Sequence, residues 1–332
     1  MKKGKSLGEP AGNMAWKRPV EDFRIDRGIS AAELVTQMEA AGGFGGKHLA
    51  QGVGAVVDML SDGDSVNFLS FPACINATGT RGIIKDLVRQ KLFDVVITTC
   101  GTLDHDLARI WKKYYHGEFE LDDAVLRERG INRLGNVLVP NESYGIVLER
   151  RLQPMFRDIY RSGMRRPSTR ELIWAVGERL DDEGSILYWA ARNRVPVFVP
   201  GITDGAFGCQ LWMFYQEHRD FSPDLLADEQ ELSGLVMGAK KSGALIIGGG
   251  ISKHHTIWWN QFKGGLNYAV YLTTAEESDG SLSGARLREA VSWGKVHAKA
   301  KFITVEGDAT ITLPMLASYL LDKRKKGGKK RV

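Results

Sequence analysis

The sequence predicts an α/β protein: a parallel sheet with helices on both faces, preceded by a helical N-terminal extension. Three observations carry that expectation. Six short runs are rich in β-branched and aromatic residues, and several are apolar almost throughout, as strands covered on both faces must be. Between them lie longer segments whose apolar residues recur at helical spacing, the alternation of a sheet wrapped by helices. Finally, Gly, Thr, Asp and His gather just after these runs, where open α/β sheets bind ligands.

In chain order, the helical extension covers residues 16–62 or so, and strands are expected over 66–71 (VNFLSF) and 94–100 (DVVITTC). Between these two, 81–92 (RGIIKDLVRQKL) reads as an amphipathic helix with basic residues on its outer side. Further strands are expected over 195–200 (VPVFVP), 244–250 (ALIIGGG), 268–274 (YAVYLTT) and 302–306 (FITVE). The second strand runs into Cys100-Gly101-Thr102 and the third into Gly201-Ile202-Thr203-Asp204-Gly205. The fourth ends in Gly248-Gly249-Gly250, followed by Lys253-His254-His255, and the fifth leads into Ala275 and SDGSLSGAR. The whole is a Rossmann-like arrangement, with a single domain over 18–322, a flexible stretch over 1–17 and a basic disordered tail over 323–332.

Composition narrows the function classes. The chain has 332 residues, 43% hydrophobic and 26% charged, ordinary globular values. No apolar run approaches the about 18 residues of a membrane-spanning helix, and no signal peptide is evident. The three cysteines, Cys74, Cys100 and Cys209, lack metal-ligand spacing, so neither a disulfide framework nor a metal is expected. A cytoplasmic protein is the expectation. The formal charge of +5 resides at the ends. Of 45 Lys and Arg, seven fall in 323–332 and three are Lys2, Lys3 and Lys5, leaving 35 against 40 acids over 6–322. The body is mildly acidic, and a terminal Lys/Arg run is ordinarily a solvated tail rather than a nucleic-acid contact.

Several residues have chemistry to offer. Gly248–Gly250 can bring backbone N–H groups close to a ligand, or simply turn the chain. His254 can move protons near neutrality; His255 suits a structural role. In Glu289-Ala290-Val291-Ser292-Trp293-Gly294-Lys295, a lysine beside an indole and an acid can serve as an amine nucleophile, although most such lysines are surface residues. Asp204, Asp279 and Asp308 each stand beside a glycine and read as turn residues or ribose and amine acceptors. Cys100 reads as a small pocket-lining residue.

Residues 244–316, with GGG, KHH, DGS, GAR and SWGK in that order, closely resemble deoxyhypusine synthase. INRLGNVLVPNESYG (131–145), SILYWAARNRVPVFVPGITDG (185–205) and TGTRGIIKDLV (78–88) support the resemblance, which spans roughly 18–320. It implies NAD-dependent transfer of the aminobutyl group of spermidine, through an imine on an enzyme lysine, to one lysine of the translation initiation factor 5A precursor. It also implies a homotetramer with sites at dimer interfaces. Lys295 matches the covalent lysine, His254 the acid/base histidine, and Glu289 and Trp293 polyamine contacts. Thr99, Cys100, Gly101, Asp204, Thr274, Ala275, Asp308 and Ala309 match cofactor contacts, and Asp279 an acid at the cofactor–substrate junction. Gly249, Gly280, Ser281, Asp104 and His105 are expected on the substrate side.

The departures concern carboxylates. Leu282, Cys209 and His105 stand where the family pattern has acids, and Ala73-Cys74-Ile75-Asn76-Ala77 replaces a Ser/Asn-rich loop. Spermidine recognition is therefore expected to differ, with Asp104, Glu289 or an acid from a neighbouring subunit substituting. Alternatives are a homospermidine synthase, with putrescine as acceptor, and a non-catalytic NAD- or factor-binding paralogue. An RNA-binding reading rests on the tail alone.

Overall fold

The computed structural model describes residues 18–327. Helices α1 (Ala31–Ala41) and α2 (Phe44–Ser61) lead into β1 (Ser65–Ser70), α3 (Thr80–Arg89), β2 (Val95–Ile97) and α4 (Cys100–Trp111). An excursion follows, comprising β3 (Tyr115–His116), α5 (Asp123–Glu128), β4 (Ile131–Leu134) and β5 (Val137–Pro140). Next come α6 (Gly145–Arg161), α7 (Thr169–Glu178), α8 (Ile186–Asn193), β6 (Val197–Phe198), α9 (Ala206–Glu217) and α10 (Leu225–Gly238). The chain closes with β7 (Lys241–Ile247), α11 (Gly250–Gln261), β8 (Leu266–Thr273), α12 (Leu287–Ser292), β9 (Val296–Glu306) and α13 (Ala309–Gly327).

The main sheet has the order β6-β2-β1-β7-β8-β9, and every neighbouring pair is parallel. Successive side chains of a strand point to opposite faces, so the apolar runs feed two cores. Leu245, Ile247, Val270 and Leu272 join the core beneath α2, α3, α4, α6, α7, α8, α9 and α13. Ala244, Ile246, Ala269 and Tyr271 enter the one covered by α10, α11 and α12. Helices thus cover both faces, unequally. The strand order places the switch between β1 and β7, from which the chain fans out in both directions, and the crevice at their carboxyl ends is the expected ligand position.

Most strand limits shift modestly from those the sequence suggests. The third expected strand shrinks to Val197–Phe198, because Pro196 and Pro200 have no N–H to donate to a ladder. The last one extends backward to Val296. The helical extension over 16–62 is corrected: residues 18–30 are not helical, and α2 is an integral layer, with Val53, Val56, Met59 and Leu60 buried in the larger core. Residues 1–17 lie outside the described residues. The tail is also corrected, since α13 continues to Gly327; 328–332 lie outside the described residues. The small antiparallel sheet β3-β5-β4 is unanticipated. Its signal was the alternation of INRL and VLVP about Gly135-Asn136, which pairs Leu134 with Val137 as a two-residue hairpin. Among the described residues, no helix is long and apolar enough to cross a membrane.

Candidate active site

The Ser-Trp-Gly-Lys segment is a helix terminus. Gly294 N donates to Val291 O and Lys295 N to Ala290 O, the paired bonds that close a helix through a left-handed residue. Gly294 supplies that residue, at φ +69°. The turn sends the Lys295 side chain back beside α12, where the residue is only 8% exposed. Its Nζ lies 5.1 Å from the Trp293 ring centroid and 5.7 Å from that of Trp258 on α11, within reach of both π-faces. A Cβ at position 294 would meet nothing within 4 Å, so Gly294→Ala is a purely conformational change. It is expected to lower stability by about 1–2 kcal/mol in denaturant unfolding, and to reduce activity more than stability because Lys295 moves with the turn.

Lys295 faces a cavity of about 210 Å³ that it shares with Lys253, His254, Leu282, Arg286, Glu289 and Trp293. His254 stacks on Trp258, with ring centroids 5.6 Å apart. Burial, and then the positive charge of Lys295, hold the His254 pKa below its ordinary value, favouring the neutral ring that can accept a proton. Removing the charge in Lys295→Met should therefore move the His254 titration midpoint upward in a histidine-resolved NMR titration; an unchanged midpoint would refute the coupling. His255 is different. Burial drives its pKa down to about 4, so its 3.5 Å approach to Glu229 is a contact of a neutral ring rather than an ion pair near neutrality.

The cavity brings together Lys295, His254, Glu289 and Trp293 as expected, and adds two residues not singled out from the sequence. Lys253 is 2% exposed, and Arg286, also buried, pairs with Glu306 at 2.7 Å. The signal for Lys253 was its phase: it shares the buried face of α11 with Thr256, Ile257 and Asn260, where a lysine needs partners. Leu282 lines the cavity where an acid was looked for, leaving Glu289 as the carboxylate in this lining beside three cationic side chains.

Asp104 and His105 need correction, because neither lines the cavity. Asp104 is fully buried; its oxygens accept from Tyr144 Oη at 2.7 Å, Ala206 N at 2.9 Å and Phe207 N at 2.6 Å. It caps the N-terminus of α9 from a distance. His105 Nδ1 meets Tyr114 Oη at 2.9 Å, and burial lowers its pKa to about 4. Two residues along α4, Asp106 likewise caps α8 through Ile186 N and Leu187 N. Positions two apart point to different sides of a helix, so α4 is wedged between two helix starts. Cys209 is exposed on α9 and does not line the cavity either.

Of the remaining substrate-side residues, none lines the cavity: Gly280 and Ser281 belong to the adjoining loop after β8, and Gly249 precedes α11. Gly280 is left-handed at φ +71°, and Ser281 N donates to Asp279 Oδ1 at 2.6 Å. Gly249 meets this loop so closely that a Cβ would fall 2.1 Å from Ser283 Oγ.

The expected cofactor residues follow carboxyl ends of the main sheet: Thr99, Cys100 and Gly101 after β2, Asp204 after β6, Thr274, Ala275 and Asp279 after β8, and Asp308 and Ala309 after β9. Thr99 precedes α4, and its Oγ1 accepts from Ala73 N at 3.1 Å. Cys100 is buried, with its thiol pKa pushed up by burial and by Asp104, so it is an inert packing residue. A Cβ on Gly101 would fall 2.8 Å from Ala73 Cβ, and one on Gly248 3.1 Å from Pro72 Cγ, showing how closely the loops after β1, β2 and β7 approach. Asp204 and Thr274 are exposed, and Ala275 N donates to Thr273 Oγ1. Asp308 caps α13, which starts at Ala309, through Thr310 N at 2.8 Å.

The sequence profile of deoxyhypusine synthase matches residues 33–320. The chain belongs to the deoxyhypusine synthase family. A curated relative from Picrophilus torridus, named "Probable deoxyhypusine synthase", is 53% identical over 309 residues, 93% of this chain and 99% of the relative. One of the same name from Thermoplasma volcanium is 53% identical over 92% of this chain and 97% of its own length. A crystal structure assigned as a deoxyhypusine synthase, from Entamoeba histolytica, shares the fold, with TM-score 0.65 and 20% identity over 94% of this chain and 99% of that one. Membership in the deoxyhypusine synthase family makes the chain an enzyme, a transferase of hypusine formation.

Proposed function

We propose that the chain transfers the 4-aminobutyl group of spermidine to one lysine of the translation initiation factor 5A precursor, using NAD. One observation carries the proposal: Lys295, 8% exposed and set between two indoles, shares a cavity with His254 and Glu289. In support of a dinucleotide at these carboxyl ends, Gly248 and Gly101 let the loops after β7 and β2 close on Pro72 and Ala73 of the loop after β1, and the exposed carboxylates of Asp204 and Asp308 are available to ribose hydroxyls. Bound there, NAD would accept a hydride from the carbon beside the secondary nitrogen of spermidine and return it at the end.

The protein's residues do the rest. The unprotonated amine of Lys295 adds to the imine carbon of the oxidised polyamine; the new C–N bond to Nζ replaces the bond to the departing 1,3-diaminopropane. His254, neutral and in the same cavity, relays the protons these exchanges require. Glu289 pairs an ammonium, and Trp293 covers the alkyl chain. The lysine of the factor then displaces Lys295 by the same exchange.

A single carboxylate in this lining is fewer than a polyamine's ammonium groups require. We propose that a second copy of the chain supplies further acids, in a homotetramer. Supporting this, Ile251, Trp258 and Phe262 on α11, together with Trp293, form an exposed apolar stripe beside the cavity.

The test is incubation with NAD, labelled spermidine and the factor precursor, with borohydride trapping. Label on Lys295 and then on the factor is the expected result; no label on either refutes the proposal and favours a non-catalytic paralogue. Efficient turnover with putrescine in place of the factor would instead indicate a homospermidine synthase.

A further inference from the structure

The loop over 282–285 presents four successive backbone carbonyls, and each is held by a side chain. Lys253 Nζ donates to Leu282 O at 2.7 Å and to Ala285 O at 2.5 Å. Tyr271 Oη and Thr273 Oγ1, both from β8, donate to Ser283 O. Arg286 donates to Gly284 O while its other nitrogen reaches Glu306. Carbonyls in connecting loops ordinarily face water; four in a row bound by side chains mark a loop whose position is set.

Lys253 is central to this arrangement. Its ammonium also lies 3.9 Å from the Tyr271 ring centroid, so both carbonyls and a π-face surround one buried charge. It directly precedes His254 on α11, while Leu282 and Ala285 line the cavity containing Lys295. The lysine therefore links the helix carrying the acid/base histidine to the wall opposite it.

We infer that Lys253 is a positioning residue, which fixes the 282–285 loop relative to His254 and Lys295 and so sets the width of the polyamine channel. This rests on reading the cavity as the amine site. Lys253 Nζ is committed to Leu282 O, Ala285 O and the Tyr271 ring, and although burial lowers its pKa to about 8 the ammonium remains the major form near neutral pH. The charge of Glu289 on α12 opposes that lowering, and Arg286 reinforces it. Lys295 lines the same cavity and Tyr271 packs against the ammonium from β8. Loss of the charge above that pH weakens, without abolishing, the bonds to both carbonyls, because charge-assisted bonds are about twice as strong as neutral ones.

The test combines two variants and two readouts. Lys253→Met keeps the length of the side chain but leaves two carbonyls bare; Tyr271→Phe removes one hydroxyl and keeps the ring. In Lys253→Met the KM for spermidine should rise about ten- to a hundredfold, with kcat changed by less than about threefold. Tyr271→Phe should shift KM in the same direction by less, and the double variant should fall short of additivity. The wild-type KM should climb above about pH 8, and Lys253→Met should lack that rise. Amide hydrogen exchange over 280–286 should accelerate in both variants. An effect confined to kcat, or an unchanged exchange pattern, overturns the inference. Tyr271→Phe decides the matter if Lys253→Met does not fold. If the wild type fails to use spermidine, the functional reading fails, while hydrogen exchange still tests the positioning role.

Discussion

Lys295→Ala is expected to abolish aminobutyl transfer, by at least about a thousandfold, while the protein folds normally. The turn that places the residue uses the backbone N–H of Lys295, not its side chain, so alanine keeps the helix terminus. What disappears is the amine in the cavity between Trp258 and Trp293. Lys295→Arg should be as inactive, because a guanidinium retains its proton and cannot add to an imine carbon. That pair separates nucleophile from charge: if arginine restores appreciable turnover, Lys295 acts through its charge alone. Activity assays, borohydride trapping with peptide mass analysis, and unchanged thermal midpoints together check the expectation.

Asp104→Ala is expected to be the most destabilising of the substitutions considered, at roughly 2–4 kcal/mol, without direct loss of a polyamine contact. Alanine leaves Ala206 N and Phe207 N without their cap, and strips Tyr144 Oη of its acceptor, all at a fully buried position. Asp104→Asn keeps the volume and one acceptor and should cost about half as much. Burial raises the pKa of Asp104 and the three donors oppose the rise, so the carboxylate is a helix cap held against its desolvation. Urea midpoints of the two variants give the values. At saturating spermidine and NAD the folded fraction should keep near-normal turnover; a large rise in spermidine KM with unchanged stability would restore Asp104 to the polyamine site.

The contrast between these two residues shows how far the sequence could be read. Lys295, His254, Glu289 and Trp293 were legible because their chemistry lies within short motifs, and the structure places all four on one cavity. The sheet was legible because strands buried on both faces must be apolar almost throughout. The place of Asp104, apart from this cavity, was not legible because an acid shortly after a strand end looks the same whether it meets solvent, substrate or the start of a distant helix. Its partners, Tyr144, Ala206 and Phe207, lie 40 or more positions away. The hairpin over 131–140 was visible in principle but too short to stand out beside the main strands.

The sequence by itself determined the alternation of strands and helices and the family, since each follows from local periodicity or from residues close together in the chain. Tertiary structure alone decided which carboxylates meet the cavity. It assigned Asp104 and Asp106 to helix starts and left Glu289 in the lining beside Leu282. It also made Lys253 a clamp on a loop about 30 positions further on. The physical reason is that burial and hydrogen-bond partnership are properties of packing: the same carboxylate or ammonium binds substrate or holds the fold according to which donors and carbonyls the folded chain brings to it.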